Sequence, residues 1–124
     1  MSQDIVSDAL NQIMNAKKAG HNSVNIKKSS RFLIDVLAIG KLKGYIKDYK
    51  FEEKILIVNL GRLNVCKAVK PRYVVKADNI IKYMRRYLPA RDMGSLIIST
   101  SKGLMTHQTA IEKNIGGSII AYFY

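Results

Sequence analysis

The sequence predicts an α+β fold in two small lobes, the first ordered αβαββ and the second mostly strand with short helices. Three observations carry this expectation: helical runs with an apolar period near 3.6, short branched and aromatic runs bounded by turn residues, and an aperiodic basic stretch between the halves. At 124 residues the chain can bury a core, but each half alone is near the size where a domain is marginal.

Val6, Ala9, Leu10, Ile13 and Ala16 recur at helical spacing, with Asp4 and Asp8 early, Lys17 and Lys18 late, and Gly20 placed to end the helix. Val24 to Lys27 reads as a short strand. Ser29 or Ser30 can cap a second helix whose Leu33, Val36 and Leu37 share one face, and Gly44 closes it. Tyr45 to Phe51 and Ile55 to Leu60 read as a hairpin around Glu52-Glu53-Lys54. From Gly61 to Lys70 the pattern is aperiodic and basic, which divides the chain into expected lobes 1–62 and 63–124.

Pro71 suits the start or edge of a strand through Val75, because proline has no N–H to give a ladder. Asp78 can cap a helix with Ile80, Met84, Tyr87 and Leu88 inward and Lys82, Arg85 and Arg86 outward, and Pro89 limits it. Ser95 to Thr100 reads as a strand, and Thr106 can cap a short helix ending near Asn114. Gly116-Gly117 then turns the chain into a last strand, Ser118 to Tyr124.

Lys and Arg number 21 against 9 Asp and Glu, a formal charge of +12, on a chain that is 48% hydrophobic. That apolar share excludes a disordered basic tail, so the charge is mounted on a folded body. With a pI near 9.9 the body calls for a polyanion. Membrane is disfavoured: no apolar run approaches the roughly 18 residues of a span, and no helix sets bulky aromatics beside a polybasic stripe. The polar, acidic start MSQDIVSDAL is unlike a signal or transit sequence, so a location in the cytosol or nucleus is expected. Cys66, the single cysteine, cannot build a disulfide framework or metal cluster and reads as a small core filler.

Charge is densest between Gly61 and Arg91, where Arg62, Lys67, Lys70, Arg72, Lys76, Lys82, Arg85, Arg86 and Arg91 face a single Asp78. Phosphate backbones are bound by such density, because each cation that displaces condensed counterions adds a salt-sensitive increment. Tyr45, Tyr49, Tyr73, Tyr83 and Tyr87 could stack on bases, although core packing explains most of them. Ser99-Thr100-Ser101-Lys102-Gly103 offers three hydroxyls and an ammonium between a strand and a helix. Its Lys precedes its Gly, so it is not a triphosphate loop. It reads as an ordinary turn or as a set of small donors for base edges and sugars.

Catalysis has little support. His21 lies in a polar loop, and His107 reads as a surface residue or helper of the cap. Ser99 or Ser101 could be assembled on paper with His107 and Asp92, but there is no Gly-x-Ser-x-Gly elbow. No enzyme activity, cofactor, metal or small-molecule substrate is expected.

The segments DALNQIMNA (8–16), GYIKDYKF (44–51), GRLNVCKAVKPRYVV (61–75), LPARDMG (88–94), STSKGLMTH (99–107) and GGSIIAYFY (116–124) follow one another over nearly the whole chain. As a set they resemble the ribosomal protein S-eight family, in its archaeal and eukaryotic branch. The resemblance implies two α/β lobes, a primary contact with the central domain of small-subunit ribosomal RNA during assembly, and neighbouring small-subunit proteins as partners. It implies that Ser99, Thr100, Ser101, Lys102 and Gly103 reach bases in a minor groove. It also implies backbone contacts from Lys27, Lys28, Ser30 and Arg31 and from the segment of Arg62, Lys70 and Arg72. Lys82, Arg85, Arg86 and Arg91, with Gly116 and Gly117, complete the expected RNA-binding positions. The chain departs from the family in its short Glu52–Lys54 connection, in Thr109 where an acid is common and in Ile111 where a base is common. A stand-alone regulator that binds a message mimicking the ribosomal site would use the same surface.

Overall fold

In the first helix, α1 (Ile5–Lys18), the buried Val6, Ala9, Leu10 and Ile13 line one face, with Asp8 in the first turn and Lys17 and Lys18 in the last. These charges complement the helix dipole. This is a computed structural model that describes residues 5–89 and 94–124, the side chains of Lys70, Pro71 and Tyr73 excepted. Asp4, Arg91 and Asp92, named above, lie outside the described residues. The chain divides into two units, Met1–Lys67 and Ala68–Tyr124.

In the first unit, α1 leads to β1 (Ser23–Ile26), and Ser30 rather than Ser29 caps α2 (Arg31–Leu42), its hydroxyl accepting from Leu33 N at 3.2 Å. Gly44 takes φ +87 past the helix end, where Tyr45 N donates to Gly40 O, a conformation that favours glycine. The strands β2 (Ile46–Glu52) and β3 (Ile55–Leu60) follow, and the antiparallel sheet has the order β1-β3-β2. Ile26, Leu56 and Val58 of the sheet and Leu33, Val36 and Leu37 of α2 are buried, so helices and sheet share a core. Cys66 is tied into this unit, its N–H on Met14 Sδ at 3.2 Å and its thiol on Leu10 O at 3.6 Å.

In the second unit the sheet has the order β4-β7-β5-β6, where β4 is Cys66–Val75, β5 Ser95–Thr100, β6 Gly103–Thr106 and β7 Gly117–Phe123. The observed β4 starts well before Pro71, where strand structure was expected to begin. Its position at the sheet edge explains why proline is tolerated inside it. Asp78 does not cap the next helix: a 3-10 turn, Ala77–Asn79, leads into α3 (Ile80–Tyr87) without a side-chain cap. Ile80, Met84 and Leu88 are buried, and with Leu96, Ile98, Met105, Ala110 and Ile119 they form the core of this unit. The strand β6 was not foreseen, since Gly103 to Thr106 read as loop before the cap. Thr106 does cap α4 (His107–Glu112), accepting from Thr109 N at 3.4 Å, and the two hydroxyls lie 3.3 Å apart.

His107 is the largest departure. Instead of standing at the surface it is 1% exposed, and its Nδ1 accepts from the backbone N–H of Leu96 at 3.1 Å. The ring thereby satisfies a backbone donor in the buried part of β5 and fastens α4 to that strand. Among the described residues no helix is long and apolar enough to cross a membrane.

Candidate nucleic-acid interface

The Ser-Thr-Ser-Lys-Gly segment is the tip of a β-hairpin rather than a strand-to-helix loop. Ser99 and Thr100 end β5, Gly103 opens β6 with φ +106, and Thr100 pairs with Gly103. The Thr100 hydroxyl accepts from Lys102 N at 3.1 Å and donates to Gly103 O at 2.8 Å. Thr100 therefore shapes the tip, while Ser101 and Lys102 stand exposed on it.

The Gly116-Gly117 pair lies beside this tip. Ser99 pairs with Ser118 across β5 and β7. A side chain on Gly117 would collide with the Ser99 carbonyl, and one on Gly116 would collide with the carbonyl of Val75. These glycines are needed for close backbone approach, which brings the start of β7 against the end of β4 and the hairpin. Lys76, exposed at that end of β4, joins the group. It belonged to the basic run but not to the expected contact set, and nothing local in the sequence shows which strand end it adjoins.

Elsewhere in this unit, Lys82, Arg85 and Arg86 are exposed on the outer face of α3, with the Arg86 guanidinium 5.8 Å from the Tyr87 ring centre. Tyr87 stacks on Tyr122, whose ring in turn stacks on Tyr124, with centroids 5.4 and 6.2 Å apart. Arg72 is an exposed member of β4, and of Lys70 the structure describes the backbone in the same strand.

In the first unit, Lys27 and Lys28 border a cleft against α1, whereas Ser30 and Arg31 border another that contains Phe51, 56% exposed. Arg62 sits at the other end of this unit. Its N–H donates to Gly44 O at 2.9 Å, and Gly61 N donates to Tyr45 O at 3.0 Å, which ties it to the turn after α2. A Cβ on Gly61 would stand 2.6 Å from Gly44 O, so glycine is required there. Helix α2, 12 residues long, separates Arg31 from that turn by roughly 18 Å at 1.5 Å per residue.

Cys66 and His107 are both occupied in structure. Burial pushes the Cys66 thiol up to about 12, so it is not a thiolate nucleophile near neutral pH. The buried His107 Nδ1 is already an acceptor for Leu96.

The family model described as Ribosomal protein S8 matches residues 4–124. The chain is 40% identical over 129 aligned residues to the small ribosomal subunit protein uS8 of Nanoarchaeum equitans (strain Kin4-M), with the whole of both chains covered.

Proposed function

Because the chain belongs to the ribosomal protein S8 family, we propose that it binds the central domain of small-subunit ribosomal RNA as a primary contact during assembly. Membership makes it a structural, non-enzymatic protein of the small ribosomal subunit. The observation that carries the finer reading is the hairpin tip. Thr100 holds it in shape, Gly116-Gly117 seats it closely, and Ser101 and Lys102 project from it.

The minor groove of structured RNA is wide and shallow and presents base edges and 2′-hydroxyls, which small hydroxyls and backbone groups on a closely approaching tip can hydrogen-bond. In this reading Ser99, Ser101 and Gly103 address that groove while Lys102 meets a phosphate. Lys82, Arg85, Arg86, Arg72 and Lys76 supply sequence-independent attraction, as do Lys27, Lys28, Ser30, Arg31 and Arg62 in the first unit. The protein then works in the cytoplasm as part of the ribosome, beside other small-subunit proteins.

Chemical footprinting of small-subunit RNA with and without the protein tests the reading. Protection confined to an irregular helix of the central domain is expected. Protection spread evenly over regular duplexes would leave only a general polyanion binder.

A further inference from the structure

A cleft of about 470 Å³ opens between α1 and the end of β1 in the first unit. Its size lies in the range of small-molecule clefts, about 300–1,000 Å³. The side chains along α1 are Asp8, Asn11 and Gln12, which share a helix face through i, i+3 and i+4 spacing. Opposite them stand Asn25 of β1 and the two lysines that follow it, Lys27 and Lys28.

This set is not what phosphate alone would select. A carboxylate repels phosphate, so Asp8 among two lysines calls for a ligand carrying both an anionic group and hydrogen-bond donors. An ionised carboxylate only accepts, and it can accept two bonds side by side. Among the four RNA bases guanine alone presents two adjacent donors on its Watson–Crick edge, N1–H and the N2 amine. Adenine, cytosine and uracil each place an acceptor next to their donor, which would face the carboxylate with a lone pair. The remaining polar group on that guanine edge is O6, an acceptor, and Asn and Gln amides supply donors for it.

We propose that this cleft takes one guanine nucleotide displaced from the stack of a structured RNA. Asp8 accepts from N1–H and the N2 amine, amide N–H groups of Asn11, Gln12 or Asn25 donate to O6, and Lys27 and Lys28 hold the flanking phosphates. The inference rests on the RNA-binding reading above and adds a base-specific site in the unit that lacks the Ser-Thr-Ser-Lys-Gly hairpin. Ile5, half-buried at the cleft wall, gives the base an apolar neighbour.

The test titrates the full chain with guanosine, inosine and adenosine 5′-monophosphates and follows the backbone and side-chain amides by NMR. The guanine nucleotide should bind about fivefold more tightly than the adenine one, the low end of discrimination by a bidentate pair. The inosine nucleotide, which keeps N1–H but lacks the N2 amine, should fall between. Asp8→Asn should erase the preference while retaining the weak binding that the lysines provide. Asp8 is exposed, so this variant leaves the core intact. Asn25→Ala should weaken the guanine nucleotide and leave the hairpin signals unmoved.

Equal binding of all three nucleotides, with shifts confined to Lys27 and Lys28, would mean phosphate capture only and would overturn the proposal. A guanine preference that survives Asp8→Asn would overturn it as well. Footprints on the central domain that persist without any nucleotide preference would remove the cleft and leave the ribosomal RNA reading standing. A preference without central-domain footprints would do the reverse.

Discussion

Two β-hairpins among the described residues make equally short connections by different means. Between β2 and β3, Glu53 and Lys54 both adopt left-handed backbone, φ 49 and 69, without glycine at either position. Between β5 and β6, the Thr100 hydroxyl bridges the turn to Lys102 N and Gly103 O, and the left-handed position is given to Gly103. The first tip thus stores backbone strain of about 1 kcal/mol or more per residue, and the second avoids it with a side-chain brace. Their chemistry differs to match. The first turn carries Glu53 and Lys54, with Glu52 3.9 Å from Lys50 at its base, whereas the second exposes a serine and a lysine. A phosphate backbone meets balanced charge at the first tip and an ammonium beside a hydroxyl at the second, so short turns of similar length carry different functional prospects.

The comparison can be broken most severely from below. Leu56 under the first hairpin and Ile98 under the second are fully buried. Truncating either to alanine should cost on the order of 2 to 5 kcal/mol in denaturant unfolding. A cost below about 0.5 kcal/mol at either site would show that the strand does not rest on a packed core.

The tips themselves come next. Ser101→Ala should weaken binding to an irregular central-domain helix by about 1 to 3 kcal/mol, because a buried RNA group loses its partner. Its salt slope should stay unchanged. Glu53→Ala should leave that affinity undiminished, and an equal loss from both variants would erase the distinction between the hairpins.

Relief of strain should be a smaller effect of opposite sign. Glu53→Asn with Lys54→Gly installs the pair preferred in two-residue turns with both central φ values positive. It should stabilise the first hairpin by about 1 kcal/mol. Thermal unfolding measures this, and a lower midpoint would contradict the strain argument.

Arg85→Ala sharpens the contrast between shape and charge. On the outer face of α3 it should reduce the dependence of log affinity on log salt by about 0.7 to 0.9, one phosphate contact, for specific and unrelated RNAs alike. An unaltered slope would remove α3 from the phosphate-binding surface.

Elements written in local periodicity were legible from the chain alone. The 3.6-residue spacing of Leu10 and Ile13, the caps at Ser29 or Ser30 and at Thr106, and the paired strands around Glu53 all depend on neighbours a few residues away. The basic run and the Ser-Thr-Ser-Lys-Gly segment were visible for the same reason. Tertiary structure decided what depends on distant partners. It buried His107 against the Leu96 N–H and tied Arg62 to the Gly44 turn. It also set Asn25 opposite Asp8. Composition and spacing register which groups a chain carries, but a long-range hydrogen bond or a cleft exists only where folding brings two separate segments within a few ångströms.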